Sequence, residues 1–217
     1  MNLWRNSSIH PGWPRTVGPL RVSAGLVGLR PVRMRDATLW SRIRLADRSF
    51  LEPWEPTAEM DWVLRHSVSA WPAMCSGLRA EARKGRMLPY AIELDGVFCG
   101  QLTIGNVTHG ALRSAWIGYW VSSAVTGRGV ATAALALGLD HCFSAVMLHR
   151  VEATVRPENA ASRAVLAKVG FREEGLLRRY LDIDGAWRDH LLVAQTVEET
   201  QGPVASTLVK KGLAQWP

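Results

Sequence analysis

Two stretches carry residue types at spacings that could do chemistry. The first is VTGRGVATAAL, Val125–Leu135, where Gly127 and Gly129 bracket Arg128 before an alanine- and leucine-rich run. A strand feeding a glycine-bearing turn feeding a helix makes an anion site. The first helical N–H groups lack partners in the ladder and the helix dipole favours negative charge. The glycines let a ligand approach the backbone closely. The second stretch is PENAASRAVLAKVGF, in which Asn159 and Ser162 stand three apart at a helix start. There an asparagine either caps the helix or touches a ligand, and a serine hydroxyl holds a proton or bonds back within the helix.

Three phosphate binders compete for the loop. A Walker loop needs a Lys-Ser/Thr pair after its second glycine, and Val130-Ala131 stands there. A dinucleotide fingerprint needs a third glycine where Thr132 stands, and it opens a parallel βαβ unit, whereas this loop follows a hairpin pattern. The third candidate is the pyrophosphate of coenzyme A.

The elements that must position these residues follow from periodicity. Leu20 to Val32 alternates loosely, as an edge strand or two. Asp36 is placed to cap a helix carrying Leu39, Trp40, Ile43 and Leu45. The prolines of FLEPWEP, Phe50–Pro56, predict a loop, and a helical region from about Ala58 to Lys84 is broken near Pro72. Asp95-Gly96 predicts a hairpin turn. SAWIGYWV, Ser114–Val121, is apolar on both faces and reads as a central strand. A helix from about Gly129 to Ala145, the strand RVEATV and a helix capped by Gly170 follow. A last hairpin turns at Asp184-Gly185. This is a mixed α+β domain with a mostly antiparallel, seven-stranded sheet flanked by helices. It spans residues 17–199, between an N-terminal arm, 1–16, and a tail, 200–217, without clear period.

Composition bounds the function. The 217 residues are 47% hydrophobic, enough for one sizeable core, and the net charge of +7 suits an anionic partner or reflects solvated arginines. Cys75, Cys99 and Cys142 fit no zinc or redox spacing and read as reduced thiols of a cytoplasmic protein. The histidines show no ligand spacing, so no metal is expected. No apolar run is long enough for a membrane span. Most of the ten tryptophans are expected in the core, with some left to line a pocket.

TGRGVAT after a strand, with NAASRAVLAKVGF some thirty residues on, resembles the GNAT acetyltransferases. Gly129 and Ala131 match the family loop, and Thr126 replaces its Gln or Arg. FLEPWEP, IGYW, GFREEG and YLDIDGAWRDH are most similar to the RimJ-type branch, the ribosomal-protein alanine N-acetyltransferases. The resemblance spans about Leu20 to Thr196. It implies the GNAT fold and acetyl-CoA as cofactor, held by Trp120, Val121, Thr126, Gly127, Arg128, Gly129, Val130, Ala131, Thr132, Asn159, Ser162 and Arg163. The pantetheine arm would lie along the strand ending at Trp120 and Val121.

The chemistry would be direct attack of a neutral amine on a thioester, which needs positioning, a polarised carbonyl and a proton for the leaving sulfur. Ser162 is the candidate proton donor, because the tyrosine many relatives carry on this helix is absent. Tyr119, in reach or in the core, and Glu55, a base or a loop salt bridge, complete the catalytic candidates. The Glu that serves as base in related Rim enzymes aligns with Leu181, so that role does not carry over. Trp54, Glu55 and Asn106 are the candidate substrate contacts. The implied substrate is a protein N-terminus, by analogy the alanine of a ribosomal protein. Ribosome association is open, the chain is a monomer or homodimer, and no DNA or membrane partner is expected. The alternatives are acetylation of a small amine, such as a polyamine, amino sugar or amino acid, and a non-catalytic basic ribosome-associated protein.

Overall fold

The computed structural model of the chain describes residues 12–217, so most of the N-terminal arm, residues 1–11, lies outside the described residues. One sheet organises the rest. Its strands are β1 (Val17–Val22), β2 (Gly25–Pro31), β3 (Met87–Leu94), β4 (Val97–Thr108), β5 (Ser114–Val121), β6 (Arg150–Val155), β7 (Arg172–Ile183) and β8 (Ala186–Thr196). Their order is β1-β2-β3-β4-β5-β6-β8-β7. Eight strands replace the expected seven because Leu20 to Val32 folds into a hairpin of two, turning at Gly25. Asp95-Gly96 and Asp184-Gly185 both adopt the paired positive φ that tight hairpin turns require.

Every strand pair is antiparallel except β5 with β6, and that pair is short. Only Ser114, Ala115 and Trp116 pair across, with Arg150, Val151 and Glu152. Beyond Trp116 the two strands diverge. The β5 edge from Ile117 to Val121 therefore faces open space at the centre of the sheet.

Helices cover both faces. α1 (Ala37–Ala46), α2 (Arg48–Leu51), α3 (Trp62–Arg65) and α4 (Trp71–Arg83) lie on one side, and Trp40, Trp71, Cys75 and Phe98 form a core beneath them. α5 (Val130–Ser144), α6 (Ala160–Val169) and α7 (Val204–Lys210) lie on the other. α5 is apolar almost all round because it is buried against both the sheet and α7. All three cysteines are buried and unpaired.

Local readings differ from the structure in four places. Asp36 does not cap α1. Its carboxylate takes two bonds from buried Arg30, at 2.8 and 2.7 Å, and one from the Arg33 N–H, because a buried guanidinium needs that anion more than the helix needs a cap. Phe50–Pro56 is not an irregular loop throughout, since α2 runs into a 3₁₀ turn, Glu52–Trp54, whose first turn tolerates Pro53. The 58–84 region holds α3, a 3₁₀ turn at Val68–Ala70 and α4, and Pro72 sits inside the first turn of α4, where a missing N–H costs nothing. The segment after Thr200 carries α7, too short to show a period. Asp140 of α5 accepts from the Val204 and Ala205 N–H groups, and Gln215 bridges to Arg21 of β1.

Candidate active site

The divergence of β5 and β6 opens a cleft of about 1440 Å³ that runs from one face of the sheet to the other. Strand alternation divides it. Trp116, Gly118 and Trp120 face the α1–α4 side, while Ile117, Tyr119 and Val121 face α5 and α6.

On the α5 side the wall is backbone. Thr126, Gly127, Gly129, Val130, Ala131 and Thr132 all line the cleft. The first helical bond of α5 runs from the Ala133 N–H to the Gly129 carbonyl, so the N–H groups of Val130, Ala131 and Thr132 stand ahead of the ladder. Gly127 and Gly129 hold φ of +71 and +86. A Cβ on Gly129 would lie 3.2 Å from Val22, whereas one on Gly127 would meet nothing. The turn thus needs Gly129 for both conformation and space. This cradle fits a diphosphate: orphan donors at a helix N-terminus with no side chain in the way. The Thr126 hydroxyl donates to Ser123 O at 2.8 Å. The strand-to-loop corner is pinned by Asp47 at the end of α1, which accepts from Ser122 Oγ, Ser123 N and Ser123 Oγ. Arg128 and Arg163 are exposed and do not line the cleft. Arg128 O accepts from Ser23, and Arg163 donates to Pro157 O.

Asn159 caps α6 through Oδ1, which accepts the Ser162 N–H at 3.0 Å, and it also lines the cleft. Ser162 and Tyr119 meet: their hydroxyls are 3.0 Å apart. Burial pushes the Tyr119 phenol up to about 12, so it is a neutral O–H throughout the physiological range.

On the α1–α4 side the wall is side chain. Trp54, Glu55 and Asn106 line it, with Trp116, Trp120 and Gln101. Trp116 lies over Gly105, where a Cβ would come within 2.2 Å of its ring. Glu55 is ion-paired with buried Arg44 at 2.8 Å. Arg44 packs against the rings of Trp62 and Trp120, at 4.9 and 5.0 Å, and donates to His66 Nε2. Burial, then the Arg44 charge, lower His66 to about 4, so its ring is neutral and accepts that bond. Gln101 Oε1 takes the indole N–H of both Trp40 and Trp120, at 3.1 and 3.2 Å. Arg156 lies over Trp54 and donates to Pro53 O. The Phe50–Pro56 segment also docks on the last hairpin, since Thr57 donates to Asp182 and Pro56 bridges Ile183.

The structure brings together every candidate site residue except Arg128 and Arg163. Sequence reading missed Asp47, Arg44, Gln101, Trp116 and Arg156. No local spacing marks them, because each acts on a partner from a distant element.

Residues 27–172 match the acetyltransferase (GNAT) domain family. The chain belongs to the GNAT acetyltransferases. It is an acyltransferase, and its fold is the GNAT fold with one more strand than expected. It is 75% identical to Mycobacterium smegmatis RimJ, whose structure is a complex with CoA-disulfide. The TM-score is 0.95, over 96% of this chain and 100% of that one. It is 28% identical over 190 residues to the ribosomal protein uS5-alanine N-acetyltransferase of Escherichia coli K12, covering 87% of this chain and 96% of that relative. It is 30% identical to the probable N-acetyltransferase YjcK of Bacillus subtilis, covering 76% and 91%. Among the described residues no helix is long and apolar enough to cross a membrane.

Proposed function

We propose that the chain is a cytoplasmic acetyl-CoA-dependent enzyme that acetylates the N-terminal α-amine of a protein, an alanine of a ribosomal protein by analogy with its relatives. Bound acetyl-CoA supplies an acetyl thioester. The Val130, Ala131 and Thr132 N–H groups hold its pyrophosphate, and the β5 edge from Ile117 to Val121 orders its arm. Trp54, Asn106, Trp116 and Gln101 wall the acceptor. The Tyr119–Ser162 hydroxyl pair holds a proton for the departing sulfur, a task that suits two neutral hydroxyls better than either alone. Glu55 clamps the acceptor loop through Arg44.

The observation that carries this reading against a polyamine is the state of the carboxylates. Those lining the cleft are Glu55, Glu152 and Glu158. Each is ion-paired, with Arg44 at 2.8 Å, Arg150 at 3.1 Å and Arg156 at 3.3 Å. A polycation meets an arginine beside each carboxylate there, whereas a peptide with one amine needs a slot walled by aromatic and amide groups. The test is thiol release from acetyl-CoA with peptides starting in alanine, serine or methionine, one polyamine and one amino sugar, with the products sited by mass spectrometry. Turnover on the alanine peptide with the mark on its α-amine is expected. Turnover on the polyamine alone overturns the acceptor and leaves the family intact.

A further inference from the structure

Where β5 and β6 diverge, a second cavity of about 150 Å³ continues the cleft into the sheet. Tyr119, Thr154, Asn159 and Ser162 line its near side, and His190 of β8 lines it too. That volume has room for several waters among polar partners. His190 is 4% exposed. Its Nδ1 lies 3.0 Å from Arg188 O. A carbonyl only accepts, so Nδ1 carries the proton and Nε2 of the neutral ring keeps its lone pair. Nε2 makes no hydrogen bond to the protein among the described residues. The Tyr180 ring stands edge-on to the imidazole, with centroids 5.9 Å apart.

A protein N-terminus arrives largely as an ammonium, with an ordinary pKa of about 8, and it must lose a proton before it attacks. Among the described residues, each of the other bases near the cleft has a partner. Glu55, Glu152 and Glu158 are paired with arginines, the Tyr119 phenol is a donor, and His66 Nε2 already accepts from Arg44.

We propose that His190 Nε2 is the proton acceptor for the substrate ammonium, reached through water in this cavity. The inference rests on the amine-acetylating reading above. One ammonium proton passes through water to Nε2, leaving a neutral amine. As the N–C bond forms and the C–S bond breaks, the sulfur gains a proton from the Tyr119–Ser162 pair, and the amine's second proton passes through the cavity water to that pair and restores it. The imidazolium then returns its proton to solvent, matching the one proton that acetylation of an ammonium releases. The charged and titratable groups beside His190 are the phenols of Tyr119 on β5 and Tyr180 on β7, Arg156 after β6, Arg178 and Arg179 in the β7 bulge opposite, and Asp189 and Arg188 on β8 itself.

The test uses the full chain with His190→Asn, which can keep the bond to Arg188 O, and His190→Gln, which sets a non-basic amide near the Nε2 position. Turnover is followed from about pH 6 to pH 9 on an alanine peptide and on a small primary amine. At pH 7, kcat is expected to fall about 100-fold in both variants, with coenzyme A affinity unchanged. The loss should shrink as pH rises past the amine's own pKa, and added imidazole should restore part of it. Nitrogen NMR of the wild-type ring should show the proton on Nδ1. Three results overturn the proposal: the proton on Nε2, kcat within twofold of wild type, or a loss that is equal at every pH and indifferent to imidazole. If only the small amine turns over, the peptide reading fails while the variants still decide His190 on that amine.

Discussion

The two ends of the cleft are built from different materials. The α5 end is backbone: two glycines in the left-handed region and three N–H groups ahead of a helix ladder. The α1–α4 end is side chain: Trp54, Trp116 and Trp120, Gln101 held by two indoles, and an Arg44–Glu55 pair under the acceptor loop. A backbone cradle recognises a group common to a whole family and tolerates change in the side chains around it, which is why Thr126 can replace the family's usual residue. A side-chain wall can be rebuilt substitution by substitution, so it is the end at which a change of acceptor can be made without disturbing the cradle.

The sharpest way to break this division is at Gly129. A valine there must adopt φ near +86 with its Cβ against Val22. Strain and clash together should lower coenzyme A affinity by about 100-fold or more, whereas Gly127→Ala, with open space around it, should cost about 1–2 kcal/mol of backbone strain. Calorimetric titration of both variants reads the difference. Equal losses would show that the turn's space, and hence the cradle, is described wrongly.

Acid should act on the opposite end first. His66 has its pKa lowered from 6.5 to about 4 in the folded chain. Between those values the unfolded chain binds the extra proton and the folded chain does not. Stability is therefore full above about pH 6.5 and is lost as pH falls toward 4, by up to about 3 kcal/mol. Urea midpoints measured across that window, with hydrogen exchange mapped on α1 and α3, should show the Arg44–His66–Trp62 region loosening before the Gly127–Thr132 turn. A flat stability curve there would mean that His66 is not held neutral.

The smallest of these effects sharpens the middle of the cleft. Tyr119→Phe and Ser162→Ala each leave one hydroxyl in place, so each should slow turnover by about 10-fold or less, and the double variant by about 100-fold. Coenzyme A affinity should stay near wild type in all three. Two large and equal single losses would make one hydroxyl the sole proton donor.

The same contrast explains what the sequence made legible. The cradle lies within eight consecutive residues, Thr126–Thr132 and the bond to Ala133, and local rules of glycine and helix N-termini reach it. Both Asp-Gly hairpins and the Gly170 stop were legible for the same reason. Arg44, Gln101, Trp116 and His190 were not, because each gains its meaning from a partner on another strand or helix. Gln101 is an ordinary glutamine until Trp40 and Trp120 converge on its oxygen. Asp36 was misread as a cap because its true partner, Arg30, lies on the preceding strand and is buried with it. α7 was missed because its burial depends on Asp140, some sixty residues earlier.

One measurement tests the division most directly: coenzyme A affinity and kcat/KM for an alanine-initiated peptide, both determined on a Trp54→Ala, Trp116→Ala double variant. Those rings wall the acceptor end and leave the α5 turn untouched. The expected result is affinity within about twofold of wild type, with kcat/KM lowered by about 10-fold or more, as the loss of two aromatic walls implies. If affinity and kcat/KM fall together, the two ends are not separate, and the account of a backbone donor site beside a side-chain acceptor site is contradicted.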